Sequence, residues 1–125
     1  MNPEVGAWLA KADEDRAAAR CLARADDPLL LPAVFHVQQS AEKYLKALLI
    51  AKGIDFGRKH DLAYLREMAQ EPSLEVFSDF LDQLAPYAVE IRYPGDFLPP
   101  TAQHAAELLG RLDDLRAVVL AQLDV

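Results

Sequence analysis

Residues 36–49 read HVQQSAEKYLKALL, the composition of a strong helix with two unlike faces. Placed at about 100° per residue, its apolar side chains form one face with alternating three- and four-residue steps. That face consists of Val34, Val37, Ala41, Leu45 and Leu48. The opposite face carries an imidazole and three polar side chains, namely His36, Gln39, Lys43 and Lys46. A helix that only packs does not require this polar series.

Further helices are predicted on both sides of this stretch. The first runs from about Pro3 to Arg24, and the second from Leu31 or Pro32 to Gly53, a residue suited to a left-handed helix end. Asp61 is a plausible cap for a short third helix that ends near Gln70. Thr101 caps the last helix, whose seam is Ala105, Leu108, Leu112, Leu115 and Val119.

The fourth predicted helix follows Ser73 as its cap and has the most regular apolar seam, made of Leu74, Phe77, Leu81, Leu84, Ala88 and Ile91. Pro86 must kink or divide it near Asp82, whose carbonyl loses its partner. Period-two alternation typical of strands is absent from the sequence. We therefore predict an all-α protein, an antiparallel up-and-down bundle of four long helices and a short one.

Bulk properties indicate a single domain over residues 1–125. Cys21 is the only cysteine, which excludes an internal disulfide and fits a reducing compartment. With no signal segment and no apolar run near the ~20 residues of a membrane helix, we expect a cytoplasmic protein without membrane contact. No cofactor is expected, and His104 with Glu107 offers too few ligands for a metal.

The charge is unevenly distributed. A net charge of −7 argues against extensive nucleic-acid binding, because phosphate contacts require a basic surface. Residues 43–59, however, carry five positive charges against the single Asp55, a local net of +4, and His60 adjoins them. This segment is either a solvated basic turn or a site for a small anion such as a nucleotide.

Asp15 places a carboxylate on the apolar stripe of the first helix, which it shares with Trp8, Ala12, Ala19 and Leu22. A buried carboxylate requires a cation or a hydrogen-bond donor, and Lys43, Arg92 or His60 could supply one. Asp15 is therefore either a polar contact that sets helix register or one wall of a polar pocket.

Four segments in order resemble the HEPN domain family, and together they span nearly the whole chain: KADEDRAAAR (11–20), QQSAEKYLKAL (38–48), HDL (60–62) and RYPG (92–95). The resemblance implies a helical protein that pairs with a separate minimal nucleotidyltransferase. It would be either the substrate-binding subunit of that enzyme or one component of a prokaryotic toxin–antitoxin couple.

HEPN ribonucleases resemble one another in an arginine followed about four to six residues later by a histidine, the pair used for acid–base cleavage. No arginine of this chain has a histidine at that distance. We therefore expect the protein not to be an enzyme on its own. The alternative is a divergent, metal-independent ribonuclease or toxin acting on RNA, in which Arg92 would stabilise charge and folding would bring His60 or His104 to it.

For a nucleotide or other anion we predict a groove between helices, to which Arg92 could offer a bidentate fork. In relatives, polar faces of these helices line the groove. The resemblance therefore implies that the remaining residues that contact the ligand are His60, Lys43, Lys46, His36 and Gln39. Leu49 and Ile50 add apolar surface on another side of the second helix, which we interpret as a homodimer face.

Overall fold

The computed structural model describes residues 2–89 and 99–124, and within them the chain forms five α-helices and no strand. In chain order the helices are α1 (Pro3–Arg24), α2 (Leu30–Ala51), α3 (Leu62–Ala69), α4 (Ser78–Leu84) and α5 (Ala102–Leu123). The predicted all-α bundle is confirmed. Ile91 of the predicted seam, Arg92 and the rest of the RYPG segment lie outside the described residues.

Local sequence explains where these helices begin and end. Asn2 caps α1 by accepting a hydrogen bond from the backbone N–H of Glu4 at 2.8 Å. Asp61 and Thr101 cap α3 and α5 in the same way, as predicted. Beyond the end of α2, Gly53 has a φ of 71°, a left-handed conformation that glycine adopts without steric cost.

Helices α1 and α2 form the centre of the bundle and run antiparallel. Lys46, late in α2, lies 5.3 Å from the centre of the ring of Trp8, early in α1, whereas His36, early in α2, contacts Asp15 farther along α1. Helix α5 packs across both, and Arg16 Nε lies 2.6 Å from Asp113 Oδ1. The predicted seam of α5 is buried in full. The largest fully buried side chains are Tyr44, Phe77, Leu45, Leu48, Leu49, Leu65, Leu74, Leu81, Leu84, Leu108, Leu112 and Leu115.

The fourth predicted helix differs from the expectation in form. Residues Pro72–Phe77 make a 3₁₀ segment before α4, and Ala85–Tyr87 make another after it. Glu71, rather than Ser73, supplies the capping oxygen, because Pro72 begins the 3₁₀ segment immediately after it. The division at Pro86 is confirmed, since this proline lacks the N–H that would continue α4.

Burial also removes one support for the predicted homodimer face. Leu49 is fully buried inside its own chain, and only Ile50 of that pair keeps partial exposure. The homodimer therefore stays a prediction that no longer includes Leu49. Among the helices that the structure describes, none combines the length and apolarity needed to cross a membrane.

Candidate functional site

Helix α2 carries two adjoining rows of polar side chains. At about 100° per residue, Gln38, Glu42 and Lys46 lie along one row, and Gln39, Lys43 and His36 lie beside it. The core side of the helix is apolar, so these groups must find their partners in one another, on α1, on the loop before α3, or in solvent. The structure divides them into two clusters and a cavity.

The first cluster joins α1 to α2 around Asp15, whose side chain is 13% exposed. Its Oδ1 lies 2.9 Å from His36 Nδ1, and its Oδ2 accepts a hydrogen bond from Lys43 Nζ. An ionised carboxylate only accepts, so the His36 nitrogen facing it carries the hydrogen. Lys43 and His36 are thus committed to Asp15, and the lysine charge is neutralised within the fold.

The second cluster holds a buried ion pair beneath two aromatic rings. Lys46 Nζ lies 2.9 Å from Glu42 Oε2, and the two side chains are only 4% and 8% exposed. The same ammonium lies 5.3 Å from the centre of the Trp8 ring and 5.2 Å from that of Phe56, within range of cation–π attraction. A lysine so completely enclosed contributes no free positive charge to a ligand.

His60 connects this second cluster to solvent. Its Nδ1 lies 2.9 Å from Glu42 Oε2 and 3.1 Å from Lys46 Nζ. Both contacts use Nδ1, which can donate to Glu42 or accept from Lys46, so Nε2 is the ring nitrogen left for other partners. The side chain is 68% exposed. Glu42 therefore orients an imidazole whose second nitrogen has no partner among residues 2–89 and 99–124.

A cavity of about 260 Å³ lies beside this imidazole. It is bounded by α2, by the start of α3 and by the turn that follows α4, and its lining residues are Gln38, His60, Asp61, Leu62, Ala85 and Ala88. Gln38 is 1% exposed. Its Oε1 accepts a hydrogen bond from Gln39 Nε2 at 2.6 Å, whereas its own Nε2 has no acceptor within the described part of the chain.

A third polar network lies away from this cavity and joins α1, α2 and α5. The buried Tyr44 hydroxyl donates to Asp13 Oδ1, and Arg116 Nε lies 2.9 Å from the same oxygen. Burial, and then the hydrogen bond to Asp13 and its negative charge, raises the pKa of Tyr44 well above the usual range. Burial raises the pKa of Asp13, but hydrogen bonds from Arg116 and Tyr44 outweigh it, and the net pKa is lowered.

The predicted site residues are therefore only partly brought together. His60 contacts Lys46, whereas Lys43 and His36 share the carboxylate of Asp15 in a separate cluster. Gln39 bonds to Gln38 and joins neither cluster. The sequence-based prediction overlooked Gln38 and Glu42. Both lie in the quoted stretch one helical turn apart, and their spacing to Lys46 was the available signal.

The charge of the predicted basic segment is smaller than its sequence implies. Lys43 and Lys46 are neutralised by Asp15 and Glu42. Lys52 donates to the carbonyl of Ala69 at 2.7 Å. Arg58 makes no ion pair with a described residue, and Lys59 lies 5.5 Å from the centre of the Tyr64 ring. Lys52 also lies 3.5 Å from Glu71 Oε2, so within residues 43–59 the positive charge free for a ligand is confined to the loop just before His60.

Comparison with known proteins agrees with this architecture. No curated protein sequence matches the chain. The crystal structure of an archaeal HEPN homologue superimposes with a TM-score of 0.75 at 25% sequence identity, covering 94% of this chain and 96% of that one. The family model described as the HEPN domain matches residues 5–122. Since that match spans nearly the whole sequence, the chain belongs to the HEPN domain family.

Proposed function

We propose that this protein is a nucleotide-binding helical module that acts together with a separate minimal nucleotidyltransferase. Membership in the HEPN family supports a module of the nucleotide- or RNA-related kind. The observation that carries the proposal is the cavity beside His60, where a buried amide donor and an oriented imidazole face one small space. Buried polar groups without partners are rare in folded proteins and call for an explanation such as a ligand.

The distribution of charge favours one small ligand over a long nucleic acid. The protein as a whole carries a net charge of −7, which disfavours an extended phosphate backbone. Arg58 and Lys59, which immediately precede His60, leave positive charge at the cavity's side of the molecule. A nucleoside monophosphate would place its phosphate toward this loop and its uncharged part toward the cavity.

Calorimetric titration with nucleoside 5′-monophosphates tests the ligand. We expect binding that inorganic phosphate alone does not reproduce and that His60→Ala weakens by roughly tenfold. His104→Ala, at the start of α5, is the matched control and should bind as the wild type does. Arg92→Ala tests the predicted phosphate fork, with a comparable loss expected. Equal binding by wild type and His60→Ala would contradict the proposed site.

Affinity capture from the protein's own host tests the partner. We expect the tagged chain to retain a small nucleotidyltransferase in near-equal amount, while the tag alone retains none. If expression of this chain arrests growth and co-expression of the partner relieves the arrest, the two form a toxin–antitoxin couple. If expression does not arrest growth, a substrate-binding subunit is favoured. Sedimentation of the purified chain tests the predicted homodimer. Capture of ribosomal proteins and RNA without a nucleotidyltransferase would contradict the partnership.

A divergent ribonuclease is the second candidate, and one observation favours it. The His60 imidazole is held by the Glu42 carboxylate at 2.9 Å, an arrangement that orients a general base. Metal-independent cleavage of RNA that is lost in His60→Ala and kept in His36→Ala would support this reading. RNA left intact by the wild type in chelator-containing buffer would exclude it for the substrates assayed.

A further inference from the structure

The amide of Gln38 has hydrogen-bonding capacity that the fold leaves unused. Its side chain lines the cavity beside His60 and is 1% exposed, so water reaches it poorly. Gln39 Nε2 occupies its carbonyl oxygen at 2.6 Å, which leaves the Nε2 group as the part without a partner among the described residues. A ligand that supplies an acceptor at this point would satisfy it.

The second polar group of the cavity is the imidazole of His60. Its Nδ1 lies 2.9 Å from Glu42 Oε2 and 3.1 Å from Lys46 Nζ, so Nδ1 is occupied within the fold, and Nε2 is the ring nitrogen without a partner among the described residues. A ligand edge that carries a carbonyl oxygen for Gln38 next to a ring nitrogen for His60 is complementary to this pair.

The electrostatics of the cavity favour a neutral group over an anion. No lysine or arginine is among its described lining residues, and the one charged side chain there is the carboxylate of Asp61. Leu62, Ala85 and Ala88 supply apolar walls. Placing a phosphate in this space would bury negative charge beside another carboxylate, which is costly without a paired cation. The acceptor that meets Gln38 is therefore an uncharged carbonyl oxygen.

The size of the cavity sets a further limit. Its volume of about 260 Å³ lies just below the range of about 300–1,000 Å³ typical of sites that enclose whole drug-sized ligands. It suits a single planar ring system, with the rest of a nucleotide remaining outside near Arg58 and Lys59.

We infer that the cavity binds a nucleobase through its lactam edge, with Gln38 donating to the carbonyl oxygen and His60 Nε2 pairing with the adjacent ring nitrogen. This inference rests on the proposed nucleotide-binding function and specifies the class of base. Hypoxanthine, guanine and uracil present such an edge. Adenine presents an amino donor where these bases present the carbonyl oxygen, so it opposes the Gln38 donor.

Inosine and adenosine 5′-monophosphate make a matched pair of probes, because they share size and charge and differ at the purine 6-position. Calorimetric titration of the wild type should show the inosine nucleotide binding roughly ten- to a hundredfold more tightly, the range expected when a buried donor is satisfied or left unpaired. Wild-type affinities that are equal, or that favour the adenosine nucleotide, would overturn the inference.

Gln38→Met tests whether the Gln38 amide causes the preference for the inosine nucleotide, since methionine keeps the length of the side chain without its donor. The variant should bind both nucleotides with the weaker affinity of the adenosine form. Gln83→Met makes the same change at an exposed position of α4 and should keep the wild-type preference. A preference that survives in Gln38→Met would overturn the role of Gln38.

The two proposals fail in different ways. Equal binding of both nucleotides by the wild type would reject the lactam edge and leave nucleotide binding intact. Absence of binding by either nucleotide would reject the proposed nucleotide-binding function, and with it the inference.

Discussion

The surroundings of Asp15 and the cavity beside Gln38 lie along the same helix, α2, and differ in one respect. At Asp15 each carboxylate oxygen has a partner, and the lysine and histidine on α2 are committed to it. At Gln38 the amide oxygen is satisfied and the amide nitrogen is not. Both regions present polar side chains at similar helical spacing. The two cases are distinguished only by counting hydrogen-bond partners: a group with all its partners links helices, whereas a group that lacks one can bind a ligand.

The comparison changes the interpretation of the lysines. Lys43 and Lys46 were predicted to contact an anion, but each is neutralised by a carboxylate of its own chain. Their first effect is therefore on stability and on the orientation of His36 and His60. Gln38 Nε2 and the second nitrogen of His60 have no hydrogen-bond partner among the described residues, so we propose them as the direct ligand contacts on this face.

The largest expected effect follows from breaking the buried Glu42–Lys46 pair. Glu42→Gln leaves the Lys46 charge enclosed under Trp8 and Phe56, and should lower the free energy of unfolding by about 3–5 kcal/mol. Urea denaturation measures this. Combining Glu42→Leu with Lys46→Met should recover most of the loss, because no charge then remains buried.

Glu14→Gln, at an exposed position of α1, is the control for that change and should alter the stability by no more than about 0.5 kcal/mol. A Glu42→Gln protein as stable as this control would show that Lys46 is solvated, and would return it to the set of possible ligand contacts.

Asp15→Ala tests the satisfied region itself. Removing the carboxylate leaves Lys43 and His36 without their shared acceptor, and a loss of about 1–3 kcal/mol in unfolding free energy is expected. Asp113→Ala removes a carboxylate from the more exposed pair with Arg16 and should cost at most about 1 kcal/mol. Equal losses from the two substitutions would mean that Asp15 has no special role between α1 and α2.

Tyr44→Phe extends the test to the network with Asp13 and Arg116. The variant loses a buried hydroxyl that donates to Asp13, at a cost of about 1–2 kcal/mol, while Tyr64→Phe at an exposed position should change little. Because the pKa of Tyr44 is raised in the fold, the unfolded chain ionises first above a pH of about 10. The wild type should therefore lose stability above that pH relative to Tyr44→Phe, as alkaline unfolding curves would show.

Asp13→Asn gives the corresponding effect in acid. The folded protein lowers the pKa of Asp13, so its carboxylate contributes stability above the pKa of the unfolded state, and this is lost as pH falls through the folded value. Since Asp13 is partly exposed, we expect a difference of only about 0.5–1 kcal/mol between wild type and variant at neutral pH. That difference should shrink as pH falls below the pKa of Asp13 in the folded state. A constant difference across the acid range would assign it to packing instead.

Sequence alone predicted most of the fold, for identifiable reasons. The 22-residue helices α1, α2 and α5 have long apolar periods, and α1 and α5 also begin at the capping residues Asn2 and Thr101. The region of α4 was predicted less well, because its seam continues through segments that Pro72 and Pro86 turn into 3₁₀ structure. The period correctly placed Leu74, Phe77, Leu81 and Leu84 in the core, but Ala88, beyond Pro86, is exposed. Apolar spacing thus predicts burial only as far as the helical backbone that it assumes continues.

The candidate site was less predictable, because its character depends on contacts between distant segments. That Asp15 needs a cationic partner follows from its position on an apolar stripe. That Lys46 is enclosed depends on Trp8 of α1 and Phe56 of a loop, which no local pattern reveals. The unpaired state of Gln38 is a property of the completed fold, since it requires knowing every group that fails to reach it.

The smallest expected effect is also the one that divides the two regions most sharply. Gln38→Met removes a buried donor that has no partner, so its loss relieves a desolvation cost, and only the contact with the partly exposed Gln39 is given up. The unfolding free energy of the ligand-free protein should stay within about 0.5 kcal/mol of the wild type or rise, as with Gln83→Met. A loss of about 2 kcal/mol would mean that Gln38 Nε2 is bonded in the native protein. Gln38 would then, like Asp15, have all its hydrogen-bond partners within the protein, and the two regions would no longer differ.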